Sequence, residues 1–526
     1  MARMLLILWK LNNIQMMLMS RLLQPKILLV FICVFFLSTR LFRIAEIPSS
    51  VYWDEASIGY NAYSIAQTGK DEWGDFLPIH FRAFGEFKLP VYIYATVPFV
   101  AVFGLTAFSV RLPAVLFSLG VIILTYFLSN KIWRSKTIGL FSSFFVSVSP
   151  WFFIFSRTGY EATAGLMFYL LGVLLFLQKQ NGKIFLLSMI SLILSFYSYN
   201  TFRIISPLTF LILTLYKKNE IKSVLKKDLI YSILAVVLLL LSLIPIYRLY
   251  RYDSGIFRLQ AVSTTSSTFF KNYLSHFSPD FLILYGDKNL RSQQEDFGQI
   301  YLPELILFLL GFIYIIGRKS KFSFLALFLL LIGPIPAAIT KESPHALRAI
   351  SMIPFISIIS AQGVHNLGKI VKKRYIFNLT IITIFFGFFI NYFLNFLDTY
   401  PIKASKDWQY GYKKIFKDFK DDFSKYDRVI ISDEYAQPYI FALFYQKIDP
   451  EIFRQTLLRN SVDRWGFSTV SKFDKFEFGK VSKLLEKDSK ITLIFASAEE
   501  PILNLNPSNI INFPDGRIAF RVYKLR

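Results

Sequence analysis

The stretch KKNEIKSVLKKDLIYSILAVVLLLLSLIPIYRLY, residues 217–250, decides the fold. Its opening segment carries Lys217, Lys218, Lys222, Lys226 and Lys227, whereas from 228 to 250 the only charges are Asp228 and Arg248. At 1.5 Å per residue, an apolar run of that length crosses the hydrocarbon layer of a bilayer, roughly 30 Å thick. A lysine-rich loop beside such a run marks the cytoplasmic end.

Outward from this stretch, comparable runs occupy 26–44, 112–133, 137–156, 160–178, 184–200, 202–216, 301–317, 322–340, 347–366 and 375–397. Short basic loops fall at alternate connections: Lys131/Arg134/Lys136, Lys179/Lys183, Arg318/Lys319/Lys321 and Lys369/Lys372/Lys373/Arg374. The pattern predicts a mainly α polytopic membrane protein of about eleven transmembrane helices. Its N-terminus is expected in the cytoplasm and its C-terminus outside the plasma membrane. The composition agrees: of 526 residues, 54% are hydrophobic, which excludes both a disordered chain and a row of soluble domains. The formal net charge of +24 would suit a nucleic-acid binder, but most of the cations sit in the alternate loops. The lipid bilayer is therefore the expected partner, and nucleic acid is not. The single cysteine, Cys33, leaves no intrachain disulfide to form.

Residues 89–104 (LPVYIYATVPFVAVFG) break the alternation, being short and holding Pro90 and Pro98. If they spanned, every later basic loop would be reversed, so they are expected to lie along or dip into the outer leaflet. The domain reading is then a cytoplasmic lead-in at 1–25 and a transmembrane part at 26–397, with long outer loops at 45–111 and 251–300. A soluble extracytoplasmic α/β domain follows at 398–526, where 22 Lys+Arg face 18 Asp+Glu. Strands are expected near 428–432, 491–497 and 518–523, and helices near 406–420, 434–446 and 477–487. The sequence has no glycine-rich phosphate loop and no Cys/His metal spacing, so neither a cofactor nor a metal is expected.

On this topology the ionisable residues beside the spans gather at the outer edge. They are Asp54 and Glu55 (in YWDE, 52–55), Glu86 and Lys88 (GEFKLP, 85–90), and Arg111. With them come Arg157 and Glu161 (SRTGYE, 156–161), Tyr197, Tyr199 and Arg203 (YSYNTFR, 197–203), and His345 and Arg348 (SPHALR, 343–348). Such groups are costly beside a bilayer and call for a partner or a task. Each also has a plainer reading. Arg111 would snorkel, Trp53, Tyr197 and Tyr199 would join an aromatic belt, Arg157 would pair with Glu161 four residues on, and His345 would be a satisfied loop residue. Two adjacent carboxylates directly after a span resist that account best. Carboxylates among several cations suit a phosphate-bearing ligand and a reacting hydroxyl.

Five segments appear in order: YWDE (52–55), KLPVY (88–92), SVRLP (109–113), SPWFFIFSRTGYE (149–161) and HALR (345–348). Over about residues 30–400 the pattern resembles the bacterial protein O-mannosyltransferase and aminoarabinose-transferase group of multi-spanning C-type glycosyltransferases. The resemblance implies a polyprenyl-phosphate sugar donor, extracytoplasmic transfer of a hexose-type sugar, and inversion at the anomeric carbon. Carried over by position, Asp54 is the catalytic base, with Glu55 beside it, and Lys88 contacts the donor phosphate. Glu161 stands where relatives have an Asp in the second outer loop. Arg157, Arg203, His345 and Arg348 are candidates for holding the phosphate, and Glu86, Arg111, Tyr197 and Tyr199 for supporting the site. The acceptor is a hydroxyl on a protein, a lipid or a glycan. The rival readings are a transporter or flippase of lipid-linked sugars, a polysaccharide ligase or polymerase using lipid-diphosphate donors, and a membrane scaffold for the C-terminal domain.

Overall fold

The computed structural model describes residues 24–84, 86–252, 263–318, 321–461, 469–485, 491–500, 502 and 505–525. The lead-in at 1–23 and the Glu86 side chain lie outside the described residues.

Every apolar run is helical, but the runs differ in length and continuity. Ala107–Trp133, Leu229–Arg251 and Arg374–Asp398 are each long and apolar enough to cross a membrane. A fourth crossing is added if Lys136–Val148 and Pro150–Arg157 count as one span bent by 64°. The bend falls at Ser149-Pro150, where proline removes an N–H and disfavours the helical conformation of the residue before it. The expected span 322–340 divides in the same way, into Lys321–Ile332 and Ile335–Ala338 around Gly333-Pro334. Ala162–Phe176, Gly182–Phe196 and Phe202–Tyr216 have 15 residues each, short of the roughly 20 that span alone. The run 184–200 ends early because the polar turn 197–201 closes the helix at Phe196.

The two long loops are not irregular. The first holds a helix, Trp53–Thr68, then a hairpin of β1 (Phe81–Ala83) and β2 (Glu86–Lys88), then the helix Pro90–Phe103. The second holds a helix, Ser266–Ser275, and a wider π-type turn, Asp280–Leu284. Trp53–Thr68 (WDEASIGYNAYSIAQT) has no apolar stripe to betray it. It is a helix of small and polar residues buried almost all round, so periodicity carries no signal.

The C-terminal region is α/β as expected. Besides Arg428–Ile431 (β3), Thr492–Ser497 (β7) and Ile518–Leu525 (β9), the sheet holds β4 (Leu458–Arg459), β5 (Val470–Phe473), β6 (Phe476–Phe478) and β8 (Asn509–Asn512). The order is β4-β5-β6-β3-β7-β9-β8, with β3 parallel to both neighbours and the remaining pairs antiparallel. The helices Tyr410–Asp418 and Pro438–Gln446 match the reading, whereas 477–487 is corrected. Its start is the end of β6, and among the described residues only Val481–Leu484 is helical, because Gly479 intervenes with φ 151°.

The core is divided in an unexpected way. One apolar cluster fills the helical bundle. A second joins the C-terminal sheet to the first-loop helix and the Pro90–Phe103 helix, and a small third one, around Ile430, Ile494 and Tyr523, backs the sheet. At Gly59 a Cβ would lie 2.8 Å from the Phe444 ring and 2.7 Å from Val110. The lack of a side chain there lets the C-terminal region close onto the helix that carries Asp54.

Candidate active site

Successive residues of an α-helix point about 100° apart, and that rotation separates the two acidic neighbours. Asp54 and Glu55 lie in the first turn of Trp53–Thr68, where the helix dipole favours negative charge. Asp54 turns outward, with its side chain 24% exposed, and accepts a hydrogen bond from the Lys88 ammonium, which is itself buried. Lys88 is delivered by the hairpin, opposite Phe81 in the register and just before the helix that Pro90 begins.

Glu55 turns inward and is fully buried against Arg111, also fully buried. The Arg111 Nε and Nη2 each donate to one carboxylate oxygen at 2.9 Å, and the Gly159 amide donates to Oε1 at 2.7 Å. A Cβ at Gly159 would meet the Glu55 Cγ at 3.1 Å, so the close approach depends on glycine. Arg111 also donates to the carbonyls of Ile44, Pro48 and Ser50. The adjacent carboxylates thus have different situations: one is part-exposed, and the other ties the segment after the first helix to Ala107–Trp133. The Arg111 position is a buried clamp, not a snorkelling helix end.

Arg157 departs from expectation more sharply. It is fully buried, and its guanidinium donates to the carbonyls of Thr39, Phe42 and Ile47 and lies 4.6 Å from the Phe396 ring centroid. Its donors close the turn after the first helix, a structural task beside the phosphate-holding one expected of it, and its Nε meets no partner among the described residues. A second buried guanidinium, Arg40, does related work inside the first span. It donates to the Ser156 hydroxyl at 3.0 Å and the Ser147 carbonyl at 2.8 Å. A single arginine in an apolar run gave no cue to that role.

The other candidates fall into separate groups. Arg203 donates to His80 Nε2 at 3.0 Å. Burial first, and Arg203 second, push the His80 pKa down to about 4, so the imidazole accepts as a neutral ring. Tyr197 donates to the Ser242 carbonyl, its ring 6.1 Å from His80, and Tyr199 packs half-buried against the bundle core. Arg348 donates to the Thr340 hydroxyl at 2.8 Å and pairs with Glu342 at 3.3 Å. The His345 amide donates to His276 Nε2, and the Ala346 amide to Asp287. Burial, then Arg348, lowers the His345 pKa well below the usual imidazole value, while burial raises Asp287. The two side chains stand 3.6 Å apart, and burial works against a charge on His345. Glu161 is half-buried at the start of Ala162–Phe176.

Beside Asp54 stand groups the sequence did not single out. The Arg291 guanidinium, from the second long loop, lies 5.4 Å from the Tyr52 ring centroid and 5.2 Å from that of Trp53. Burial opposes its charge, but Tyr160, Tyr52, Asp54 and Asp407 outweigh burial and raise its pKa. The C-terminal region supplies Trp408, edge-on to Tyr52 at 5.2 Å, and Gln409, whose Oε1 accepts from the Trp53 amide at 3.0 Å. Lys413 donates to the Ser49 carbonyl at 2.6 Å, and burial, then Arg111, lowers its pKa to about 8. These residues sit in ordinary-looking soluble sequence, with no local pattern to mark them. Among the described residues, no group of three or more His, Cys, Asp or Glu is arranged to hold a metal ion.

An outward carboxylate on a buried lysine thus stands among aromatic rings at one end of a helical bundle, with a mixed sheet closed over it. Residues 88–247 match the family model described as dolichyl-phosphate-mannose-protein mannosyltransferase. The fold is that of ArnT from Cupriavidus metallidurans in the apo state. The TM-score is 0.61 at 11% identity, over 93% of this chain and 97% of that one. The same protein bound to undecaprenyl phosphate gives 0.59, also at 11% identity, over 94% and 97%. No curated protein matches the chain in sequence. The expected resemblance to the mannosyltransferase and aminoarabinose-transferase group is thus met twice, by the family model over residues 88–247 and by the fold over nearly the whole chain.

Proposed function

We propose that this enzyme moves a hexose-type sugar from a polyprenyl-phosphate donor to a hydroxyl of a protein, lipid or glycan, on the outer face of the membrane and with inversion. Asp54 takes the acceptor proton as the hydroxyl oxygen bonds to the anomeric carbon. The bond from that carbon to the phosphate oxygen breaks, and the phosphate leaves with the electron pair. Lys88 holds Asp54 in place, and with Arg291 it counters the charge that grows on the leaving phosphate. The observation that carries this reading is the Asp54–Lys88 pair, a part-exposed carboxylate on a buried ammonium. Glu55 and Arg111 act as positioning residues through the backbone of the same helix turn.

The topology belongs to the same reading: about eleven helices pass through the bilayer, broken and short ones included. The N-terminal lead-in 1–25 is cytoplasmic, 26–397 is the membrane part, and 398–526 is extracytoplasmic. Pro90–Phe103 rests along the outer leaflet, where it holds Lys88 level with Asp54. The test is transfer from radiolabelled polyprenyl-phosphate hexoses in membranes. Asp54→Asn is expected to lower turnover by about 10²–10⁴-fold, the range for loss of a general base. Near-normal turnover would refute the assignment.

A further inference from the structure

Three loops far apart in sequence meet at the end of the bundle remote from Asp54. The Ala107–Trp133 helix carries Arg111 near its start and Lys131 near its finish, about 30 Å apart along the helix axis. Around that far end Lys131, Arg134, Lys136, Lys179, Lys217 and Lys227 line one cavity of about 1190 Å³. Its two carboxylates are already engaged. Glu220 pairs with Lys217 at 2.9 Å and accepts from the Gln180 amide, while Asp228 accepts from the Gly182 amide at 2.7 Å. Among the described residues, the other five cations have no carboxylate within ion-pairing distance.

Orientation of the chain in a membrane requires cations on one side, not their convergence on a hollow. The walls are apolar as well as basic, with Phe127, Leu174 and Phe322 among the lining residues. The helix Lys218–Lys227 lies at the rim with Ile221 and Val224 buried and its lysines outward, as an interfacial helix does. Lysines act as point charges that suit a phosphate without fixing its orientation. We infer that this cavity binds a phosphate-bearing anion, the headgroup of an anionic phospholipid whose chains run down the apolar wall. The inference rests on the multi-spanning reading but not on Asp54 chemistry.

The test uses the full chain, purified and delipidated in a neutral detergent. Bound phosphatidylglycerol is measured by native mass spectrometry, with phosphatidylcholine and inorganic phosphate as comparison arms. The expected result is retention of phosphatidylglycerol over phosphatidylcholine. Arg134→Gln/Lys136→Gln and Lys179→Gln/Lys227→Gln, all at exposed side chains, should each weaken binding roughly 25-fold, from about fivefold per cation near an anionic surface. Inorganic phosphate alone displacing the lipid and raising the melting temperature would support the same anion site with a soluble occupant. Equal binding of both lipids, or unchanged retention in both variants, would overturn the inference. If a variant does not fold, the wild type decides by salt. Raising NaCl from 0.1 to 1 M must release phosphatidylglycerol, and retention through that range would also overturn it. Sugar transfer is not the readout, so the outcome stays separate from that of the proposed reaction.

Discussion

Replacing Glu55 by Gln keeps the shape of the side chain and removes its charge. In the wild type the carboxylate takes three donors, two from Arg111 and one from the Gly159 amide, and both charged side chains are fully buried. An amide turns its own NH2 toward one of those donors, and no water reaches the site to compensate. The buried guanidinium of Arg111 then has no counter-charge, only the amide oxygen and the carbonyls of Ile44, Pro48 and Ser50. Removing one partner of a buried ion pair costs about 3–5 kcal/mol. For 526 residues the unfolding entropy is about 1.1 kcal/mol/K, so the melting temperature should fall by roughly 3–5 °C. A tryptophan-fluorescence melt in detergent reads this, beside the transfer assay on the same preparation. The neighbouring variant Asp54→Asn should lose transfer with a distinctly smaller thermal shift, because its carboxylate is part-exposed and screened. If Glu55→Gln melted with the wild type, or the larger thermal loss fell on Asp54→Asn, the division of labour between the two neighbours would be wrong.

Two further outcomes follow from buried groups away from Asp54. Arg157→Lys exchanges a fork that serves three carbonyls for a single point charge. It should destabilise by about 2–4 kcal/mol, with the donor KM unchanged, whereas a raised KM with normal stability would restore Arg157 as a phosphate holder. Glu72 is fully buried beside Asn61, and burial raises its pKa to about 8 from an unfolded value near 4.5. The folded state therefore holds the extra proton, so the stabilisation is complete below pH 4.5 and is lost as pH rises through 8. The melting temperature should drop between pH 6 and 9 by an amount worth a few kcal/mol, on the order set by the shift. Glu72→Gln should flatten that profile, and an unchanged slope would refute the assignment.

The mainly helical framework was legible because long apolar runs with few charges fold as helices. The locations of Asp54 and Lys88 were legible too, since carboxylates and lysines beside spans stand out against their surroundings. What the helix does with adjacent residues was not legible. YWDE carries no sign that the Asp faces out and the Glu faces in, because that depends on where the helix starts and what packs beside it. The backbone task of Arg157 and the burial of His345 were hidden for a related reason. A one-dimensional pattern does not reveal that the turn after the first helix needs three donors, or that burial holds an imidazole neutral. Arg291 and Gln409 lie hundreds of residues from Asp54 in unremarkable loops, and only folding brings them to it. Bends at Ser149-Pro150 and Gly333-Pro334 shortened spans that composition alone would have run straight through.

The bond from Gln409 to the Trp53 amide spans 356 residues of chain. At a synthesis rate of about 5–20 residues per second, Trp53 leaves the ribosome some 20–70 s before its partner exists. During that interval the first turn of the Asp54 helix has an unfilled amide at its tip, and the lid formed by Trp408 has not been made. A nascent chain already threaded into the membrane thus lacks a finished Asp54 site until nearly its last domain is translated. On the proposed reading of Asp54, competence arrives late in manufacture, and a ribosome that stalls before residue 409 is expected to leave an inert product.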